Sequence, residues 1–163
     1  MSLGTMTFAS QRCASAPGAP YFIGVVGSNV VLVQSDPAAE GDATIQWEIV
    51  EFLDLRHQLS GVWLRSLANQ KALCANGEEN ALTTEEFLPG DPRFIWLLTP
   101  LEGGRWQVTL AQLDSNGCVD LATESNCVTG AKLQQWRPQG GSGQAWNIRA
   151  VAGASSQASS AGR

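Results

Sequence analysis

GAKLQQWRPQGGSGQAWNI, residues Gly130 to Ile148, holds two tryptophans and four glutamines in nineteen residues. Trp136 and Trp146 stand ten residues apart, and a glutamine, Gln134 or Gln144, precedes each by two positions. The second tryptophan has counterparts upstream. The apolar stretches IQWEIV around Trp47, FIWLLT around Trp96 and QAWNIR around Trp146 recur at intervals of 49 and 50 residues. Ile49, Leu98 and Ile148 each lie two positions past the tryptophan, a spacing that puts both side chains on one face of a strand.

Three ungapped fourteen-residue segments also stack: PYFIGVVGSNVVLV (Pro20–Val33), VWLRSLANQKALCA (Val62–Ala75) and VTLAQLDSNGCVDL (Val108–Leu121). The columns Phe22/Leu64/Leu110, Val25/Leu67/Leu113, Val31/Leu73/Val119 and Val33/Ala75/Leu121 are apolar throughout. The polar triplets between them, GSN, NQK and SNG, suit hairpin tips. A period near fifty residues marks a repeat architecture. The reading is an all-β domain over residues 19–150, built from three copies of a four-stranded unit at about 19–54, 55–103 and 104–150. Only IVEFLDLRHQLSGVW (Ile49–Trp63) carries a weak helical-turn pattern.

Composition bounds the function. Of 163 residues, 44% are apolar and 15% charged, which suits one compact domain with a real core. The formal charge is -5 and the ten basic residues are scattered, which argues against nucleic acid as a partner. No apolar run reaches membrane-spanning length. Nothing resembles a signal peptide, so the expected location is cytoplasmic, or outside the cell by a route without one. Residues 1–18 and 151–163 are rich in small and polar residues and are expected to be flexible. Cys13, Cys74, Cys118 and Cys127 read as free thiols in that setting, with a Cys118–Cys127 bridge the alternative that their spacing allows.

The third repeat reads CVDLATESNCVTGAKLQQWRPQGGSGQAW, a C-x-D followed by two Q-x-W motifs. It resembles the ricin-B-type β-trefoil lectin family, and the resemblance extends in weaker form from Pro20 to Arg149. It implies a β-trefoil, with Trp47, Trp96 and Trp146 in a core shared by three units. It also implies a shallow pocket for glycans of the galactose and N-acetylgalactosamine type. Matched position by position, Asp120 is the carboxylate that accepts from sugar hydroxyls, and Gln134 and Gln144 are the amides. Trp136 is the ring that stacks on the C–H face of the pyranose. The stacked segments set Asp120 opposite Leu32 and Cys74, so the resemblance implies one site per chain, with avidity supplied by a homo-oligomer. Trp136 has no counterpart in the other repeats; packing beneath the PQGGSG loop is the other role open to it. Two positions depart from the family pattern. Gly143 stands where Asn often precedes the second Gln, and Arg137 where a cysteine commonly pairs with that of C-x-D.

Other chemistry finds little support. His57 is the single histidine and has no nucleophile motif nearby, so a non-enzymatic protein is expected. The cysteines lack metal-ligand spacing, and no metal or cofactor is implied. GGSG (Gly140–Gly143) lacks the setting of a phosphate loop. The competing expectation is a protein-binding trefoil, such as a protease inhibitor acting through CANGEENALTTEEFLPGDPRF (Cys74–Phe94).

Overall fold

The computed structural model describes residues 1–18, 20–36, 41–112 and 117–151. The first unit consists of β1 (Ser2–Ser10), β2 (Tyr21–Val26), β3 (Asn29–Gln34) and β4 (Trp47–Asp54). The second holds β5 (Leu59–Ser66), β6 (Ala72–Cys74), β7 (Thr83–Glu85) and β8 (Trp96–Pro100). The third holds β9 (Trp106–Leu110), β10 (Cys118–Leu121), β11 (Leu133–Trp136) and β12 (Trp146–Ala150).

The outer strands of the units close on one another. β1 pairs with β4, β4 with β5, β5 with β8, β8 with β9, β9 with β12 and β12 with β1, always antiparallel. Such a ring has no free edge, which removes the usual template for edge-to-edge association. The inner strands form the hairpins β2–β3, β6–β7 and β10–β11. These are stitched together by backbone bonds from Val30 N to Leu82 O, Leu82 N to Leu133 O and Leu32 N to Ala131 O. A closed ring of paired strands with three linked hairpins is a β-trefoil.

Trp47, Trp96 and Trp146 open β4, β8 and β12, and each is at most 1% exposed. A buried indole N–H needs an acceptor, and all three find the same one. They donate to the carbonyls of Ile23, Leu73 and Val119 at 3.0, 3.2 and 3.3 Å. The rings pack in one core with Phe8, Ile49, Leu64, Val108 and Leu110. A 3-10 turn precedes each tryptophan strand, at Ala43–Ile45, Pro92–Phe94 and Ser142–Gln144.

The repeated indole bond fixes which residues are equivalent, and it corrects the alignment of the first repeat. Ile23, Leu73 and Val119 correspond, so β2 matches β6 and β10. Pro20–Val33 therefore spans β2–β3, whereas Val62–Ala75 and Val108–Leu121 span the first two strands of their units. The stacking was one strand out of phase because adjacent hairpins of one unit share the same alternation of apolar residues and turns. Asp120 corresponds to Cys74, as expected, but to Gly24 instead of Leu32. Leu113, used in one column, lies outside the described residues, as does 152–163 of the expected flexible tail.

Three further expectations are overturned. The amino-terminal segment is not a flexible arm: β1 pairs with β12 over Met6–Ser10 and with β4 over Ser2–Met6, and Phe8 is wholly buried. The units therefore run over residues 2–54, 59–100 and 106–150. β1 carries few large apolar residues, so its order comes from closing the ring and leaves little local trace. Ile49–Trp63 is a β-hairpin, since β4 and β5 pair from Trp47↔Ser66 to Asp54↔Leu59. Finally, Cys13 and Cys127 form a disulfide with Cα atoms 5.7 Å apart. Cys118 stays a buried free thiol, as does Cys74.

Candidate functional site

In the third hairpin Asp120 lies opposite Gln134, and Cys118 opposite Trp136. Opposed residues share a face of the pair, and so do residues two apart on one strand. Asp120, Gln134 and Trp136 are thereby presented together. Gln134 Nε2 donates to Asp120 Oδ2 at 2.9 Å, and the half-buried indole of Trp136 stands beside them. All three line an open cleft of about 540 Å³, walled also by Glu79, Thr123 and Lys132. A smaller cleft of about 260 Å³ adjoins Asp120 and is lined by Arg12, Gly143 and Gln144.

Asp120 is 8% exposed. Burial pushes its carboxyl above the ordinary carboxylate value, opposed by the hydrogen bond from Gln134, by the nearby amide of Gln144 and by the charge of Arg12, while Glu124 adds to the rise. It remains an acceptor with one oxygen held by Gln134. Cys118 and Cys74 carry thiols that burial drives up to about 12 and about 11, which leaves both unreactive.

Gln144 plays a different part from the other three predicted residues. It is 2% exposed. Its Nε2 donates to Arg137 O at 2.9 Å, and its Oε1 accepts from Gln139 N at 2.7 Å. The amide thus clamps the backbone after Trp136 onto the 3-10 turn that leads to Trp146. Arg137 lies over the Trp136 indole, 5.5 Å from its centroid, and its Nε donates to Glu78 at 3.1 Å. Gly143, where the family pattern often has Asn, is a close approach: a Cβ there would stand 2.8 Å from Leu121 O.

The equivalent places in the other units carry different side chains. In the second unit Cys74 stands opposite Thr83 and Ala72 opposite Glu85. In the first, Gly24 stands opposite Val31 and Phe22 opposite Val33. Neither combines a carboxylate with an aromatic ring.

Several residues of the site gave no sequence signal. Arg12 donates to four backbone carbonyls: Leu121 and Ala122 from Nη1, at 3.1 and 2.7 Å, and Thr123 and Ser125 from Nη2, at 2.6 and 2.7 Å. With the adjacent Cys13–Cys127 bridge it fastens the loop between β10 and β11. The second unit supplies another wall. Gly77 N and Glu79 N donate to Oε1 and O of Gln135, at 3.1 and 2.8 Å. These contacts join residues far apart in sequence and follow no short motif.

The arrangement suits a small ligand with both polar and apolar faces. His57 lies away from it, beyond β4, with Nδ1 2.7 Å from Asp54.

A family model described as ricin-type β-trefoil lectin domain-like matches residues 43–136, a span that ends on Trp136. Similar folds occur among solved structures. The Macrolepiota procera ricin B-like lectin in complex with lactose matches with a TM-score of 0.67 at 16% identity, over 92% of this chain and 97% of that one. The C-half of the earthworm R-type lectin in complex with GalNAc gives 0.57 at 18% identity, over 89% and 98%. The exo-β-1,3-galactanase of Clostridium thermocellum gives 0.69 at 16% identity, over 91% of this chain but 30% of that one. No curated protein sequence matches the chain.

Proposed function

This chain belongs to the ricin-type β-trefoil lectin-like family, and on that premise we propose that it is a carbohydrate-binding lectin without catalytic activity. Its ligand is a glycan of the galactose or N-acetylgalactosamine type, held at one site in the third unit. One observation carries this reading: Asp120, bonded to Gln134, shares a cleft with the half-buried ring of Trp136. A pyranose presents a patch of C–H groups and a rim of hydroxyls. Trp136 takes the patch, while Asp120 accepts from two neighbouring hydroxyls through charge-assisted bonds. Gln134 aims that carboxylate, and Gln144 holds the loop behind the ring. The solved lectins bound to lactose and GalNAc support the choice of sugar.

A single shallow site binds weakly, so a homo-oligomer or a fused module would supply avidity. The Cys13–Cys127 bridge favours an oxidising location outside the reducing cytoplasm. The inhibitor reading gains nothing from the second-unit loop. Asn76 Nδ2 bonds Ala81 O and Thr83 Oγ1, and Gly77 and Glu79 bond Gln135, so that loop serves as an internal brace.

A glycan array with galactose, N-acetylgalactosamine and their β-linked disaccharides tests the proposal. Wild-type protein is expected to bind galactosides, and Trp136→Ala and Asp120→Asn each to lose at least about tenfold in affinity while staying folded. Failure of the wild type to bind any glycan at high protein concentration would remove the reading.

A further inference from the structure

The cleft beside Trp136 is walled from three separate parts of the sequence. Asp120 and Gln134 come from β10 and β11, Thr123 and Glu124 from the loop between them, and Glu79 from the second unit. Glu79 is firmly placed. Its N–H donates to Gln135 O at 2.8 Å and its carbonyl accepts from Lys132 Nζ at 2.7 Å. Its φ of 71° is left-handed, which a non-glycine residue holds only where its surroundings enforce it. Neither the carboxylate of Glu79 nor that of Glu124 has a hydrogen-bond or ion-pair partner among the described residues. Glu78, next in the chain, is by contrast paired with Arg137. The cleft therefore presents three carboxylates, two of them unpaired, while the cations beside it are engaged: Lys132 with a carbonyl, Arg12 with four carbonyls and Arg137 with Glu78.

We infer that this cleft selects its sugar by charge. It takes a sugar with a protonated amine in preference to the neutral sugar and turns away one carrying a carboxylate, with Glu79 and Glu124 as the specificity-determining residues. The inference rests on reading the cleft as a sugar site, and it adds a discrimination that Trp136 and Asp120 do not make. An acidic sugar must bring its charge beside like charges, whereas an ammonium finds two carboxylates without partners. At water-like dielectric each exposed carboxylate contributes about two- to threefold at low salt. The effect fades as ionic strength shortens the screening length.

The test is calorimetric titration with galactose, galactosamine and galacturonic acid, in low salt and at a pH that keeps the amine protonated. The expected order of affinity is galactosamine, galactose, galacturonate, with about tenfold between the extremes. The double variant Glu79→Gln, Glu124→Gln should bring the extremes within about twofold. Glu51→Gln, an exposed carboxylate on β4 away from the cleft, should leave the ratio intact, separating local charge from net charge. Equal affinities in the wild type, or a ratio that survives the double substitution, would overturn the inference. So would an equal loss for all three sugars in the double variant, since the glutamates would then be plain hydrogen-bonding contacts. Galactose bound without charge preference defeats this inference alone; binding of none of the three defeats the sugar reading and this inference with it.

Discussion

The hairpins β6–β7 and β10–β11 share a backbone plan and differ in what their loops are tied to. Both accept an indole N–H at the middle of their first strand, from Trp96 and Trp146. Both set two residue pairs on one face, Cys74–Thr83 and Ala72–Glu85 in one, Asp120–Gln134 and Cys118–Trp136 in the other. The second-unit loop is pinned partly by its own Asn76. The third-unit loop is pinned from outside, by Arg12 and by the Cys13–Cys127 bridge. In the first unit only Gly27 and Ser28 separate β2 from β3, and there is no loop to wall a cleft. Threefold repetition thus supplies a scaffold, and the candidate site arises where one copy takes walls from its neighbours.

The largest expected contrast lies between two tryptophans ten residues apart. Trp146 is wholly buried and bonded to Val119 O, so Trp146→Ala should cost about 3–5 kcal/mol. That is a large part of the stability of an ordinary domain. Trp136→Ala, at a half-buried position on the cleft, should cost about 1 kcal/mol or less while removing the ring. Urea unfolding of both variants checks the pair. Equal losses would mean that Trp136 is a core residue and that its exposure to the cleft is incidental.

Removing the external tie comes next. Cys13 and Cys127 are 114 residues apart, and cross-linking so long a loop restricts the unfolded chain strongly. The double change Cys13→Ser, Cys127→Ser should lower stability by about 2–5 kcal/mol. Because that loop carries Thr123 and Glu124 on the cleft wall, galactose affinity should fall as well. Lower stability with unchanged affinity would show that Arg12 alone holds the loop in place. No such coupling is expected for Cys74→Ala, whose buried thiol packs with Leu59, Ala72, Phe94 and Ile95 away from the cleft.

The sequence revealed the parts of this molecule that repeat or sit close together along the chain. The tryptophan strands were visible because a large buried ring recurs near every fifty residues. That Asp120, Gln134 and Trp136 lie together was legible because one short hairpin carries them all. β1 was missed because its order comes from pairing with β4 and β12, and it carries few large apolar residues. The Cys13–Cys127 bridge, the clamp of Arg12 and the wall of Glu79 were missed for a related reason. Each joins segments that only the closed ring brings together. Gln144 was found in place, but its role depends on bonds to Arg137 O and Gln139 N, which residue type alone does not specify.

The finest contrast between the two hairpins is one of titration. Asp120 occupies the position of Cys74, whose thiol, pushed to about 11, is silent at any ordinary pH. Asp120 is not silent. Burial holds its folded value above the ordinary 3.8, so the folded chain keeps this proton at a pH where the unfolded chain has lost it. The stability that the group contributes is therefore greatest below 3.8, declines as pH rises through the raised value, and is level above it. Its slope cannot exceed one proton, about 1.4 kcal/mol per pH unit. Sugar binding runs the other way. In the proposed role an ionised Asp120 would accept two hydroxyls and a protonated one would not, so affinity is expected to fall as pH drops through that same raised value. An unburied carboxylate would hold its affinity to lower pH. Asp120→Asn supplies the baseline for both measurements: subtracting its stability profile isolates the decline, and its residual binding should be flat with pH. A wild-type affinity as flat with pH as that of Asp120→Asn would mean that the charge of Asp120 takes no part in holding the ligand.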